Sequence, residues 1–307
     1  MNRLKTTLTL GLLCAGLVAN VSEAAGTADL ALTPEYVTST ILTTRDEALR
    51  QDPTYQALND EKRSLYRAYV FKHTDGAIGH FIANGIVEID RTLAHHKDFT
   101  IAMGQSLMEG TLDDTYPQYL RDEDVNVVFE YERAVLACMN QKTGTTRPFF
   151  SGDGVLALEK ACQTERYARM STDAFKRFLD LKLTAETHYI ENELARQAGK
   201  PEPHPAFRYS DNYRALMDVL KRHNEAIVAT DGPFITKEIQ RSRRNPQVGH
   251  FIRSALHKYL CSLALAHTKD PDEERLLKRC FLVLPYFNET VMTGIADLIS
   301  PKAKPIE

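Results

Sequence analysis

The chain has 307 residues, of which 38 are lysine or arginine and 41 are aspartate or glutamate, so its formal net charge is −3 at pH 7. This near balance gives no strong electrostatic attraction to nucleic acid or to anionic lipid, and we expect no nucleic acid as a partner. The length suits one large domain or two small ones and is ample for a buried core.

The first 24 residues have the three-part layout of a secretory signal peptide. Arg3 and Lys5 form a basic start, residues 8–21 form an apolar run, and Ser22 and Ala24 supply the small residues of a cleavage site. We expect cleavage after Ala24 and export to the bacterial periplasm or exterior. The run is too short to span a bilayer and no later stretch is long enough, so we expect no transmembrane segment after cleavage.

The rest of the chain reads as a series of helices. A capping residue followed by proline occurs at Thr33-Pro34, Asp52-Pro53 and Asp270-Pro271, which is typical of a helix start. No sustained alternation of apolar and polar residues predicts a strand. The sequence therefore predicts an all-α protein, a multi-helix bundle or two similar helical lobes.

Two long segments have the apolar spacing of helices with a few polar interruptions. The first runs from Val125 to Met139 and is interrupted at Glu132. The second runs from Phe175 to Ile190, with interruptions at Lys182 and Glu186. We expect the second helix to begin near Ser171 or Thr172 and to end at Gly199.

A proline-rich stretch from Gly199 to Pro205 interrupts the helical pattern with three prolines in seven residues. It predicts an N-terminal helical region at 25–198, a boundary at 199–208 and a C-terminal helical region at 209–307. The alternative is one domain in which this stretch is a long rigid turn.

A weak internal similarity relates the two regions. Thr74-Asp75-Gly76 matches Thr230-Asp231-Gly232, and Gly79–Ile82 matches Gly249–Ile252 in the same order. Duplication would give two similar lobes, each covering the apolar face of the other. Chance similarity between amphipathic helices is the favoured alternative.

Four cysteines remain after removal of the leader: Cys138, Cys162, Cys261 and Cys280. In an oxidising compartment they predict two disulfides, for which three connectivities are possible. We predict Cys138–Cys162 and Cys261–Cys280, because each pair flanks a loop-rich stretch between two helical patterns. Each bridge would stabilise the fold by roughly 3 kcal/mol.

Histidines on helical faces are the candidate metal ligands. His250 and His257 are seven residues apart and share a helical face, His80 has the equivalent place in the first region, and Glu88 follows it by two turns. If the lobes packed symmetrically, these residues could hold Zn or Fe. The favoured alternative is that each histidine is a hydrogen-bonded residue at the edge of the core.

A basic cluster precedes Asn245-Pro246 and consists of Lys237, Arg241, Arg243 and Arg244. It predicts either an anion-binding site or a solvated helix end, where cations meet the negative end of the helix dipole. The helix-end interpretation is favoured.

No assembled catalytic motif accompanies these features. The chain has no glycine-rich phosphate loop, dinucleotide fingerprint, haem-attachment motif, Cys-x-x-Cys pair or His-Glu-x-x-His motif. Our first hypothesis is therefore an exported binding protein that holds a protein partner or small ligand between helices. The alternatives are a metal-dependent hydrolase or oxygen-reactive enzyme using His80, His250 and His257, and a secreted effector or immunity-type inhibitor.

Overall fold

The structure is a computed structural model that describes residues 45–46, 49–83, 117–145, 147, 154–244 and 246–283, without the side chains at 76–83, 156, 193, 197, 246–251 and 254. The regular elements in this part of the chain are all helices, which confirms the predicted all-α class. In chain order they are α1 (Pro53–Ala57), α2 (Asp60–Ala83), a short 3-10 helix (Pro117–Tyr119), α3 (Asp122–Thr143), α4 (Val155–Arg169), α5 (Thr172–Gln197), α6 (Tyr209–Arg222), α7 (Asn224–Arg244), α8 (Pro246–His267) and α9 (Pro271–Leu282).

Two of the predicted helix starts are confirmed in detail. The Asp52 carboxylate accepts a hydrogen bond from the backbone N–H of Thr54 at the start of α1. The Asp270 carboxylate accepts from the N–H groups of Asp272 and Glu273 at the start of α9. In each case the cap satisfies donors that the first turn leaves without a partner. The predicted start at Thr33 lies outside the described residues.

The chain forms two compact units. The first takes the chain up to Thr115 together with Ser171–Ile190, and the second takes Tyr116–Met170 and the chain from Glu191 onward. Residues 199–208, predicted as a boundary, lie inside the second unit.

In the first unit, α2 and the first part of α5 pack as parallel helices. The Thr172 hydroxyl at the start of α5 donates to Glu61 at the start of α2 over 3.0 Å. Between three and four turns further along each helix, His73 contacts Glu186. The apolar and aromatic core of this unit includes Leu49, Leu58, Tyr66, Tyr69, Val70, Phe175, Phe178 and Leu179.

In the second unit, α3 and α4 form a hairpin joined by the predicted disulfide Cys138–Cys162, with the two Cα atoms 5.8 Å apart. Helix α8 packs against both α7 and α9, and α9 also packs on α3. The core of this unit includes Val128, Phe129, Leu216, Leu220, Ile227, Ile235, Leu256, Leu260 and Phe281.

The proline-rich stretch is packed against the end of α5. The Asn192 side chain forms two hydrogen bonds with the backbone of His204. Its oxygen accepts one from the His204 N–H, and its amide group donates one to the His204 carbonyl oxygen. Glu202 forms ion pairs with Arg196 and Arg208. These contacts make the stretch an ordered turn of the second unit.

Helix α7 is broken at Asp231, whose backbone angles of φ −153° and ψ 28° are not helical. Pro233 explains the break, because it has no N–H to donate to the carbonyl of residue 229 and its ring crowds that carbonyl. The break turns the short Asp231 side chain into the interior, where the residue is buried.

The internal similarity does not correspond to similar structure. Thr74–Gly76 and Gly79–Ile82 all lie within the single helix α2. Their counterparts Thr230–Gly232 lie at the break in α7, and Gly249–Ile252 lie in the next helix, α8. The described part of the chain therefore gives no support to a duplication.

The prediction of a second disulfide was wrong, because Cys261 and Cys280 are free thiols. Only Thr268–Asp270 separate α8 from α9, so the two cysteines lie within packed helices and do not flank a loop. Both are buried, and burial raises the pKa of each thiol. Separately, none of the described helices is long and apolar enough to cross a membrane.

Candidate functional site

Four ionisable side chains are buried between α2 and α5 in the first unit. Lys62, His73, Lys182 and Glu186 are each at most 6% exposed, and we call them the ionic row. Lysine and glutamate are almost never fully buried unless they are paired. The ionic row is therefore the least expected feature of the described core.

His73 and Glu186 form the central contact of the ionic row. The Nδ1 atom of His73 lies 2.6 Å from Oε1 of Glu186, and both side chains are almost fully buried. The ring of Tyr69, one turn earlier on α2, stacks on the imidazole with ring centres 6.2 Å apart. The His73 ring is therefore in contact with both the carboxylate of Glu186 and the ring of Tyr69.

The Nδ1 atom of His73 lies close to Glu186 but out of line for a hydrogen bond, and no hydrogen bond reaches the other ring nitrogen, Nε2, from the residues that the structure describes. In the neutral tautomer that carries its proton on Nδ1, this proton lies on the side of Glu186. Nε2 then presents a lone pair, which can accept a hydrogen bond, take a proton or bind a metal ion. This atom is the chemically available position of the site.

The two lysines of the ionic row lie beside aromatic rings. Lys182 precedes Glu186 by one helical turn on the same face of α5, with its ammonium 5.8 Å from the Phe178 ring centre. The ammonium of Lys62 lies 5.9 Å from the Phe175 ring centre. Aromatic faces attract cations, while burial lowers the pKa of Lys62 by disfavouring its charged form.

Most of the predicted metal ligands cannot be placed. Glu88 and the side chains of His80 and His250 lie outside what the structure describes. Among the described side chains, no group of three or more His, Cys, Asp or Glu could hold a metal ion. The Zn or Fe site therefore stays a prediction.

His257, by contrast, is described and completely buried in α8. Its Nε2–H donates to the carbonyl oxygen of Cys280 over 2.8 Å. Burial lowers the pKa of His257 to about 4, so the ring is neutral at physiological pH. His257 is therefore hydrogen-bonded, as the alternative prediction has it, but it lies in the core and not at its edge, and its Nδ1 has no hydrogen-bond partner among the described residues.

The predicted anion site lies at the end of α7. Lys237, Arg241 and Arg244 share one helical face by their spacing, and Arg243 lies on another. Arg241 contacts the buried carboxylate of Glu238 at 3.3 Å, which neutralises part of the cluster. Anion binding there stays a prediction.

Sequence reasoning did not single out His73. It did mark Lys182 and Glu186 as interruptions of a helical apolar face, and these prove to be buried members of the ionic row. A charged residue at a position where the helical period demands an apolar one was the available signal, and it pointed to a buried partner on another helix.

Comparisons with known proteins leave the site to be interpreted from its residues alone. No protein-family model matches the chain, and neither the curated proteins nor the solved structures contain a match.

Proposed function

We propose that the protein is an exported helical binding protein of the bacterial envelope or exterior, which holds a small ligand at the ionic row. The observation that carries this proposal is His73, whose Nδ1 lies 2.6 Å from the buried carboxylate of Glu186 and whose Nε2 has no described hydrogen-bond partner. A ligand that hydrogen-bonds to Nε2 would complete this arrangement.

The energetics of burial support a functional role for the ionic row. Replacing a buried pair of ionisable groups by apolar residues of similar volume is often neutral or stabilising, so stability alone does not account for such a pair. The depth of His73 favours a small ligand over a flat protein surface, because only a small group reaches a side chain that is 7% exposed.

Ligand binding is tested with a matched pair of histidine variants. The mature protein is isolated from the periplasm, and native mass spectrometry looks for a retained small molecule. We expect His73→Gln to weaken its binding at least tenfold, since a hydrogen bond in which one partner is charged contributes about 1.5–3 kcal/mol. The exposed His267→Gln is the control and should bind like the wild type. Equal affinity of both variants would refute a ligand at His73.

Export rests on the leader and on the disulfide Cys138–Cys162, which is typical of oxidising compartments. Cell fractionation followed by N-terminal sequencing tests this part of the proposal separately. We expect a periplasmic or secreted chain that begins at Ala25. A chain retained in the cytoplasm with its leader intact would refute export without bearing on the ligand.

The metal-dependent alternative has a direct test on the same preparation. Histidines that bind metals commonly donate their second ring N–H to a carboxylate, as the contact between His73 and Glu186 allows. Elemental mass spectrometry of chelator-free protein would show stoichiometric Zn or Fe if this alternative holds. Loss of the metal in His80→Ala or His250→Ala would assign the predicted ligands.

A further inference from the structure

Three side chains of the second unit enclose the guanidinium group of Arg147, and we call Asp231, Phe234 and Tyr259 the guanidinium cage. Asp231 accepts a hydrogen bond from Nη2 of Arg147. The Cζ atom of Arg147 lies 4.8 Å from the centre of the Phe234 ring. A carboxylate combined with an aromatic face is the chemistry that recognises guanidinium groups.

The walls of the cage are positioned by α7 and α8. The break in α7 directs Asp231 inward, so that its side chain is 5% exposed. The Tyr259 hydroxyl on α8 donates to the second carboxylate oxygen over 2.6 Å, and the Tyr259 ring meets the Phe234 ring edge to face at 5.8 Å. Burial and the contact with Asp231 both raise the pKa of Tyr259, so its hydroxyl stays a neutral donor. The cage is therefore held by helices to which Arg147 does not belong.

The side chain of Arg147 is far more exposed than the carboxylate of Asp231 that it contacts. The side chain of Arg147 is 49% exposed, and Arg147 lies in the connection between α3 and α4, three residues after Gly144, which ends α3. Release of Arg147 would leave a buried carboxylate without its cation, which is strongly unfavourable unless another cation takes its place.

We propose that the guanidinium cage is a binding site for an arginine side chain of a partner peptide or protein, and that Arg147 occupies this site in the free protein. The proposal concerns the second unit and does not depend on the ligand of the ionic row. Arg147 acts as an internal competitor, and a partner arginine binds by displacing it.

Chemical rescue tests the cage without a natural partner. Arg147→Ala empties the cage, and we expect millimolar methylguanidinium chloride to raise the melting temperature of this variant by a few degrees in a saturable way. The double variant Arg147→Ala/Asp231→Asn lacks the carboxylate and should show no saturable rise. Sodium chloride at equal concentration controls for ionic strength. The same response in both variants, or none in either, would overturn the proposal.

Peptide binding separates a recognition site from a purely structural contact. We expect Arg147→Ala to bind acetyl-Gly-Arg-Gly-amide at least tenfold more tightly than the peptide in which citrulline replaces arginine, since citrulline has nearly the same shape without the charge. The wild type should bind the arginine peptide at least tenfold more weakly than the variant, because Arg147 competes. Equal binding of both peptides would make Arg147 a structural contact only. If Arg147→Ala fails to fold, Arg147→Gln carries both experiments and is judged by the same outcomes.

Discussion

At the scale of single residues, buried charge distinguishes this protein from an ordinary helical bundle. Lys182 and Glu186 occupy positions on α5 where apolar residues would fill the core, and Glu186 contacts His73 on α2. Removing one member of a buried pair leaves an uncompensated group in a region of low polarity. The ionic row should therefore be sensitive to substitutions that barely change side-chain volume.

Glu186→Gln should lower the free energy of unfolding by about 3 kcal/mol, because it removes the charge that faces His73 and keeps the shape of the side chain. Urea unfolding followed by circular dichroism measures the change. Asp75→Asn is the control in the same unit, since Asp75 forms an exposed ion pair with Arg45 and should contribute less than about 1 kcal/mol. Equal losses for the two variants would contradict a special role for the buried pair.

Thiol counting tests the correction of the second disulfide. Cys261 and Cys280 are buried and reduced, so the folded protein should not react with Ellman's reagent. In guanidinium chloride the mature chain should release two thiols per molecule, since the disulfide Cys138–Cys162 holds the other two cysteines. A count of zero under denaturing conditions would restore the second bridge.

At the scale of helices, local chemistry decides where the elements begin and end. Asp270 caps α9 as its sequence predicts. The first turn of α9 also contacts the end of α6. Glu273 accepts hydrogen bonds from the Thr268 hydroxyl, from Nε2 of His223 and from Nε of Arg222. The sequence indicated the cap, because it is local, but not the bonds to α6, because they depend on how the helices pack.

Glu273 should make the protein more stable at neutral than at acidic pH. Its hydrogen bonds, above all from Thr268 and His223, lower the pKa of Glu273 from 4.5 to about 2. Because the folded pKa is depressed, the stabilisation is complete above pH 4.5 and is lost as the pH falls towards 2. Glu273→Gln should be about 2 kcal/mol less stable than the wild type at pH 7. In urea unfolding the gap should close at low pH; a constant gap would exclude ionisation as its cause.

At the scale of the whole molecule, the sequence predicted the helical class, and one of the two predicted disulfides is present, but the sequence did not predict the grouping of the helices. The prolines at 201, 203 and 205 suggested a boundary, yet Asn192 and His204 tie that stretch into the second unit. Periodicity shows which face of a helix is buried and not which helix covers it. For the same reason the sequence marked Lys182 and Glu186 without identifying His73.

The disulfide Cys138–Cys162 should stabilise the second unit by about 3 kcal/mol, because it closes a loop over a sequence separation of 24 residues in the unfolded chain. The double variant Cys138→Ser/Cys162→Ser should lose this amount in urea unfolding. The double variant Cys261→Ser/Cys280→Ser is the control. It removes two free thiols and no disulfide, so the difference in stability between it and the wild type should be the same with and without reductant. A wild type whose stability is unchanged by reduction would contradict this role.

The two helices that carry the ionic row come from distant parts of the chain, with roughly 110 residues between His73 and Glu186. Helix α2 emerges from the ribosome long before its partner, and the α3–α4 hairpin of the other unit emerges between them. At about 5–20 residues per second, α2 waits several seconds or more for α5. The first unit is therefore expected to complete its folding only after α5 has been made. Until then, we expect the charged side chains of α2 to keep this helix hydrated while it lacks its partner.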